Sequence, residues 1–169
     1  GLKLRALGLA NRSDFYAANT NRVVVEVFYN TTEDVIEQAR RAGRPALVLF
    51  GSGWIFTKTQ DFRDWRIPQG RANLEVYNLT GQPMEANLLI TAASVSGSKQ
   101  VDMAGQMLTF EGGRLLDKMA GPVTLVPGRN NLAFSDRMWD GGRAPLLVAT
   151  VDCRPVVRAD DSNRGGDVP

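Results

Sequence analysis

The stretch Ser135-Asp136-Arg137-Met138-Trp139-Asp140-Gly141-Gly142-Arg143 gathers residue types that can hold a sugar. A sugar ring offers C–H faces that stack on an indole and hydroxyls that bond to carboxylates and guanidinium groups. Trp139 is the stacking candidate, and Asp136, Asp140 and Arg143 are the candidates for orienting hydroxyls. The competing expectation is that Trp139 folds back over the core as a lid, because large aromatic side chains are highly buried on average. Trp54 and Trp65 read as core residues on their neighbours Ile55, Phe56, Phe62 and Ile67.

Other chemistries find little support. Histidine is absent from the 169 residues, which removes Ser-His-Asp and Cys-His mechanisms and the ordinary histidine metal sites. Cys153 is the single cysteine, so neither an internal disulfide nor a cysteine-based zinc site can form. Ser94 and Ser96 lack both a nucleophile-elbow setting and a histidine to activate them. Gly51-Ser52-Gly53 follows an apolar run, but no third glycine and no helix start come after it, so the nucleotide-binding pattern fails. Two carboxylates about 5–10 Å apart could hydrolyse a glycosidic bond, with Asp61/Asp64 and Asp136/Asp140 as the local pairs. Acidic residues in polar loops are more often solvated turn formers. Asn-x-Ser/Thr sequons at Asn11, Asn30 and Asn78 coincide at the last two with a helix start and a turn.

The 20 Lys and Arg against 18 Asp and Glu give a formal charge of +2, far from the dense positive footprint that a phosphate backbone selects. A nucleic-acid partner is therefore not expected. No stretch reaches the ~18 apolar residues of a membrane span, and residues 1–10 lack the apolar centre of a signal peptide.

The elements that must position these residues are mostly strands. Leu74 and Val76 alternate with Asn73, Glu75 and Tyr77, and past Gly81-Gln82-Pro83 Leu88 and Ile90 alternate with Asn87 and Thr91. This period of two predicts a hairpin of half-buried strands. Further strands are expected over 100–103, 106–110, 114–116, 123–126, 131–135 and 146–151, separated by Gly, Pro and Asn turn sequences at the short intervals of an antiparallel sandwich or barrel. Near the N-terminus, β-branched residues predict a strand at 22–29, and Ala46 to Phe50 a buried one. Between them lies a helix over 31–42, with polar caps and acids in its first turn, Val35, Ile36, Ala39 and Ala42 on one face, Arg40 and Arg41 near its end, and Gly43 and Pro45 as stop signals. Residues 57–64 read as a loop or irregular turn. Residues 1–21 read as an irregular lead-in, 22–158 as one β-sandwich domain and 159–169 as a polar tail.

Gly53-Trp54, Asp64-Trp65-Arg66, the run from Ala72 to Asn78 with Gly81-Gln82-Pro83, and the run from Leu125 to Phe134 together resemble jelly-roll modules of bacterial polytopic membrane proteins. The similarity is to the extracytoplasmic C-terminal regions of integral-membrane glycosyltransferases that use lipid-linked sugars, and to galactose-binding-like domains more widely. It covers residues 22–151. It implies a jelly-roll-like antiparallel β-sandwich outside the bacterial cytoplasm, in the periplasm or at the cell surface. Its partners would be a glycan or the remainder of a membrane protein, and the catalytic residues of any transferase would lie elsewhere. The resemblance transfers no catalytic residue to this chain. Jelly-roll domains often hold a structural calcium, but no Asp-rich loop of calcium-binding spacing occurs, so no cofactor is indicated. The expected function is thus a non-catalytic accessory or glycan-contacting module. A free-standing carbohydrate-binding or adhesion protein and a small hydrolase with paired carboxylates are the alternatives.

Overall fold

A computed structural model describes residues 31–58 and 64–156. The lead-in, the strand expected at 22–29, Asp61 and the polar tail lie outside the described residues. Compactness divides the chain into Gly1–Ala42 and Gly43–Pro169.

In the first unit, helix α1 spans Thr32–Arg41. Its start is fixed by a capping box. The Thr31 hydroxyl accepts from the Asp34 amide, and the Asp34 carboxylate accepts from the Thr31 amide at 2.9 Å. The Thr31 amide and hydroxyl hold the Asp34 carboxyl below its ordinary pKa. Ala39 is buried and Val35 and Ile36 half-buried, whereas Ala42 is exposed, so the expected stripe is narrower than its spacing predicts.

The second unit is the mainly β, antiparallel sandwich that the alternation predicts. Its strands are β1 (Ala46–Phe50), β2 (Trp54–Lys58), β3 (Asp64–Pro68), β4 (Arg71–Asn78), β5 (Met84–Ser94), β6 (Lys99–Met103), β7 (Gln106–Phe110), β8 (Leu115–Leu125), β9 (Gly128–Asp136) and β10 (Leu146–Pro155). They form two five-stranded sheets, in the orders β1-β4-β9-β6-β7 and β2-β3-β10-β5-β8. Leu74 and Val76 of β4, Phe134 of β9, Val101 and Met103 of β6 and Phe110 of β7 face Leu88 and Ile90 of β5, Ala120 of β8 and Val148 of β10 in one continuous apolar layer.

The hairpin expectation is corrected. β4 pairs with β1 and β9, and β5 pairs with β10 and β8, so the two strands lie in different sheets. Both have an apolar file pointing inward, and these files are buried equally well whether the strands lie side by side in one sheet or face each other across the core. The link is held by Asn78, whose side-chain amide donates to Gln82 O and to Leu125 O at 2.6 and 3.0 Å.

Three further expectations change. β1 is an edge strand and half-buried along its whole length, not fully buried. Residues 54–58 and 64–68, the first reaching into the expected loop, are strands paired from Trp54↔Pro68 to Lys58↔Asp64. The strands expected over 114–116 and 123–126 are one strand, β8, running through Gly121. Gly121 has φ +131°, and a Cβ there would sit 2.7 Å from Asn87 Oδ1, so only glycine fits this bulge.

Candidate functional site

β9 ends at Asp136 and the chain returns to the second sheet at Leu146, the start of β10. The connection carries Trp139, Asp140 and Arg143 out at one end of the sandwich. Trp139 is half-buried, so it is neither a free platform nor a sealed lid. Its indole lies over Gly70: a Cβ at that position would touch Trp139 Cδ1 at 3.5 Å, and one at Gly142 would touch Cη2 at the same distance. Gly70 has φ +69°, a left-handed turn that aims its carbonyl at the Asp136 amide, 2.6 Å away.

The four residues singled out in the sequence do different work. Asp136 is only 4% exposed, the last inward-facing residue of β9, with its Oδ1 accepting from the Met138 amide at 2.9 Å. Its Oδ2 is buried without a hydrogen-bond partner. Asp136 therefore supports the turn from below and does not present itself to an outside hydroxyl. Asp140 stands at the surface, where Oδ1 accepts from the Gly142 and Ala144 amides at 3.2 and 3.3 Å. The Ala144 amide, then the charge of Lys99 and the amides of Gly142 and Arg143, hold its carboxyl below the usual pKa against an opposing desolvation cost. Arg143 is exposed. Trp139, Asp140 and Arg143 thus share one loop surface, with Asp136 beneath it.

Lys99 is the residue that sequence reasoning missed. It begins β6 on the inward file Lys99, Val101, Met103, opposite Phe110. Its Nζ donates to Met138 O at 2.7 Å and lies 3.9 Å from Asp140 Oδ2, with the side chain 5% exposed. The signal was present in the sequence: the period that puts Val101 and Met103 inside puts Lys99 there too.

Trp54 and Trp65 take the core roles expected of them. Trp54 packs edge-on to Phe50 and tilted on Phe134, with ring centroids 4.9 Å apart in both pairs, and its Nε1 donates to Asn73 O at 2.8 Å. Trp65 is buried.

Two other polar regions lie away from the loop. On the outer face of the first sheet, Tyr77 OH donates to Glu75 Oε2 at 3.0 Å and Arg129 approaches Glu75 at 4.0 Å; burial, then the bond to Glu75, pushes the Tyr77 hydroxyl pKa up. A cleft of about 300 Å³ between the β1 edge and the end of β10 is lined by Arg44, Val48, Val151, Asp152, Cys153 and Arg154, among others. Burial raises the Cys153 thiol to about 11, which leaves it neutral and a poor nucleophile. Among the described residues no group of three or more Cys, Asp or Glu could hold a metal ion, and no helix is long and apolar enough to cross a membrane.

No protein-family model matches the chain, and no curated protein matches it. Solved structures with related strand layouts exist. One is the Podospora anserina GH26-CBM35 β-(1,4)-mannanase, at 15% identity and a TM-score of 0.47, covering 68% of this chain and 28% of the mannanase. A carbohydrate-binding module, CBM36, in complex with calcium and xylotriose matches at 14% identity and 0.45, covering 63% of this chain and 98% of the module. CsCBM6-3 from Clostridium stercorarium, in complex with cellobiose, matches at 9% identity and 0.41, covering 65% and 87%. With TM-scores below 0.5, none of these likenesses assigns a ligand, and only the geometry of this chain's own residues can point to one.

Proposed function

We propose that this chain is a non-catalytic, glycan-contacting β-sandwich module of a larger bacterial cell-envelope protein, exposed outside the cytoplasm, with Trp139 as its stacking surface. The observation that carries the reading is the placement of Trp139. The indole lies close to Gly70 at the end of the sandwich, half-exposed, on a loop whose free surface also presents Asp140 and Arg143. An aromatic face with a carboxylate and a guanidinium beside it suits one or two sugar residues. The two local carboxylates do not suit hydrolysis, since Asp136 is buried beneath the loop and cannot flank a scissile bond with Asp140. Binding to so small a surface is expected in the high-micromolar to millimolar range, about −4 to −5.5 kcal/mol, because an exposed stacking contact offsets little of the association cost.

The test is a glycan array followed by titration calorimetry on the best ligand. Trp139→Ala is expected to abolish binding while costing only about 1–2 kcal/mol in stability, less than the ~3–5 kcal/mol of a fully buried aromatic. Full destabilisation of that size, or binding that survives the substitution, would remove Trp139 as the ligand surface. The envelope setting is supported by the motif resemblance of residues 22–151. It is tested by the complete open reading frame, where the absence of both export and membrane-spanning signals would contradict it.

A further inference from the structure

We infer that Lys99 is the residue that positions the Trp139 platform. The inference rests on the glycan-contacting reading above and adds a residue to that site. Lys99 reaches from inside the sandwich to the chain on both sides of Trp139: its Nζ donates to the carbonyl of Met138 at 2.7 Å and lies 3.9 Å from the carboxylate of Asp140. A lysine is rarely buried unless its charge is met, and here the partners are the residues immediately before and after the indole. Two more ties come from the same strand. The Arg137 amide donates to Gln100 O at 3.1 Å, and the Arg137 guanidinium pairs with Asp102 at 2.7 Å. β6 therefore ties the loop at Arg137, Met138 and Asp140, around the residue whose indole lies beside Gly70.

Of the two side chains that make these ties, Lys99 is the buried one, with 5% of its side chain exposed against 59% for Arg137. An exposed pair is screened and easily replaced by water, whereas a buried ammonium held by a carbonyl is not. A platform held in place before the ligand arrives binds better than one that must be ordered on binding. Lys99 touches no ligand in this scheme; it acts through the backbone of Met138 and the charge of Asp140.

The experiment uses the protein labelled with ¹⁵N at its indoles. Three tryptophan signals are expected, and the one missing in Trp139→Phe is that of Trp139. Lys99→Met keeps an apolar stem in the core and removes the ammonium. It is expected to shift and broaden the Trp139 signal, leave those of Trp54 and Trp65 in place, and weaken affinity for the array-selected glycan about tenfold. Asp140→Asn, which keeps an acceptor for Gly142 and Ala144, should move the same signal by less, and it serves as the readout if Lys99→Met does not fold. An unmoved Trp139 signal in every folded variant, or unchanged glycan affinity in Lys99→Met, overturns the inference. An array on which the wild-type protein binds nothing sinks the glycan reading and the affinity claim with it, whereas a live array with an unmoved indole sinks the positioning role alone.

Discussion

At the scale of single residues, the loop separates side chains that look alike in sequence. Asp136 and Asp140 are four positions apart in one polar stretch, yet one is buried with an oxygen left unpaired and the other stands in water accepting two amides. The direction of the inward file of β9 decides this, because Phe134 and Asp136 share a face. Asp140, whose folded-state pKa lies below its ordinary value, contributes stability that is present above about pH 3.8 and is lost as pH falls through the lower folded value. Cys153 gives the opposite slope. Its folded pKa of about 11 exceeds the ordinary 9.0, so the folded protein keeps a proton that the unfolded chain releases. Stability is expected to decline as pH rises from about 9 to 11, with no contribution from this group below. Alkylation at pH 8 should accordingly be much slower for Cys153 than for a cysteine peptide. Reaction at the peptide's rate would show an accessible, ordinary thiol.

At the scale of elements, local chemistry sets the helix and pairing sets the strands. The capping box of α1 closes with both bonds, and Thr31→Ala should cost about 0.5–2 kcal/mol. Ile36 lies on the expected apolar stripe but is only half-buried, so Ile36→Ala should cost about 1–2 kcal/mol, below the ~2–5 kcal/mol of a sealed site. Chemical denaturation measures both, and a loss above ~3 kcal/mol at Ile36 would mean that this face is more fully packed than its exposure indicates. Strand boundaries were legible where the alternation was clean, as at Gln106–Phe110. They were missed where a turn signal sat inside a strand. Gly121-Pro122 reads as a break but is absorbed as a bulge, with the Gln106 side chain accepting from the Gly121 amide and donating to its carbonyl. A glycine reports that a backbone angle is available; whether the chain turns or bulges there depends on the neighbouring strand.

At the scale of the molecule, the two sheets share one apolar layer in which Phe134 joins the Trp54 and Phe50 cluster to the centre of the core. Phe134→Ala is expected to cost about 3–5 kcal/mol in one cooperative transition. A smaller loss, or separate transitions for the two sheets, would contradict a single layer. Alternation, turn residues and composition pointed by themselves to an antiparallel sandwich or barrel, the helix with its cap, the absence of histidine chemistry and a tryptophan on a polar loop, because a two-residue period, a cap, a turn and a residue count can all be read without knowing which segments meet in space. Which strands pair was decided only by the tertiary structure. β4 and β5 carry the same pattern whether they lie side by side or face each other across the core, and burial is satisfied either way. The floor of the site was decided there too. Lys99 and Gly70 lie 40 and 69 residues before Trp139 and converge on it only when β6 and the start of β4 flank β9, a neighbourhood that no local spacing encodes.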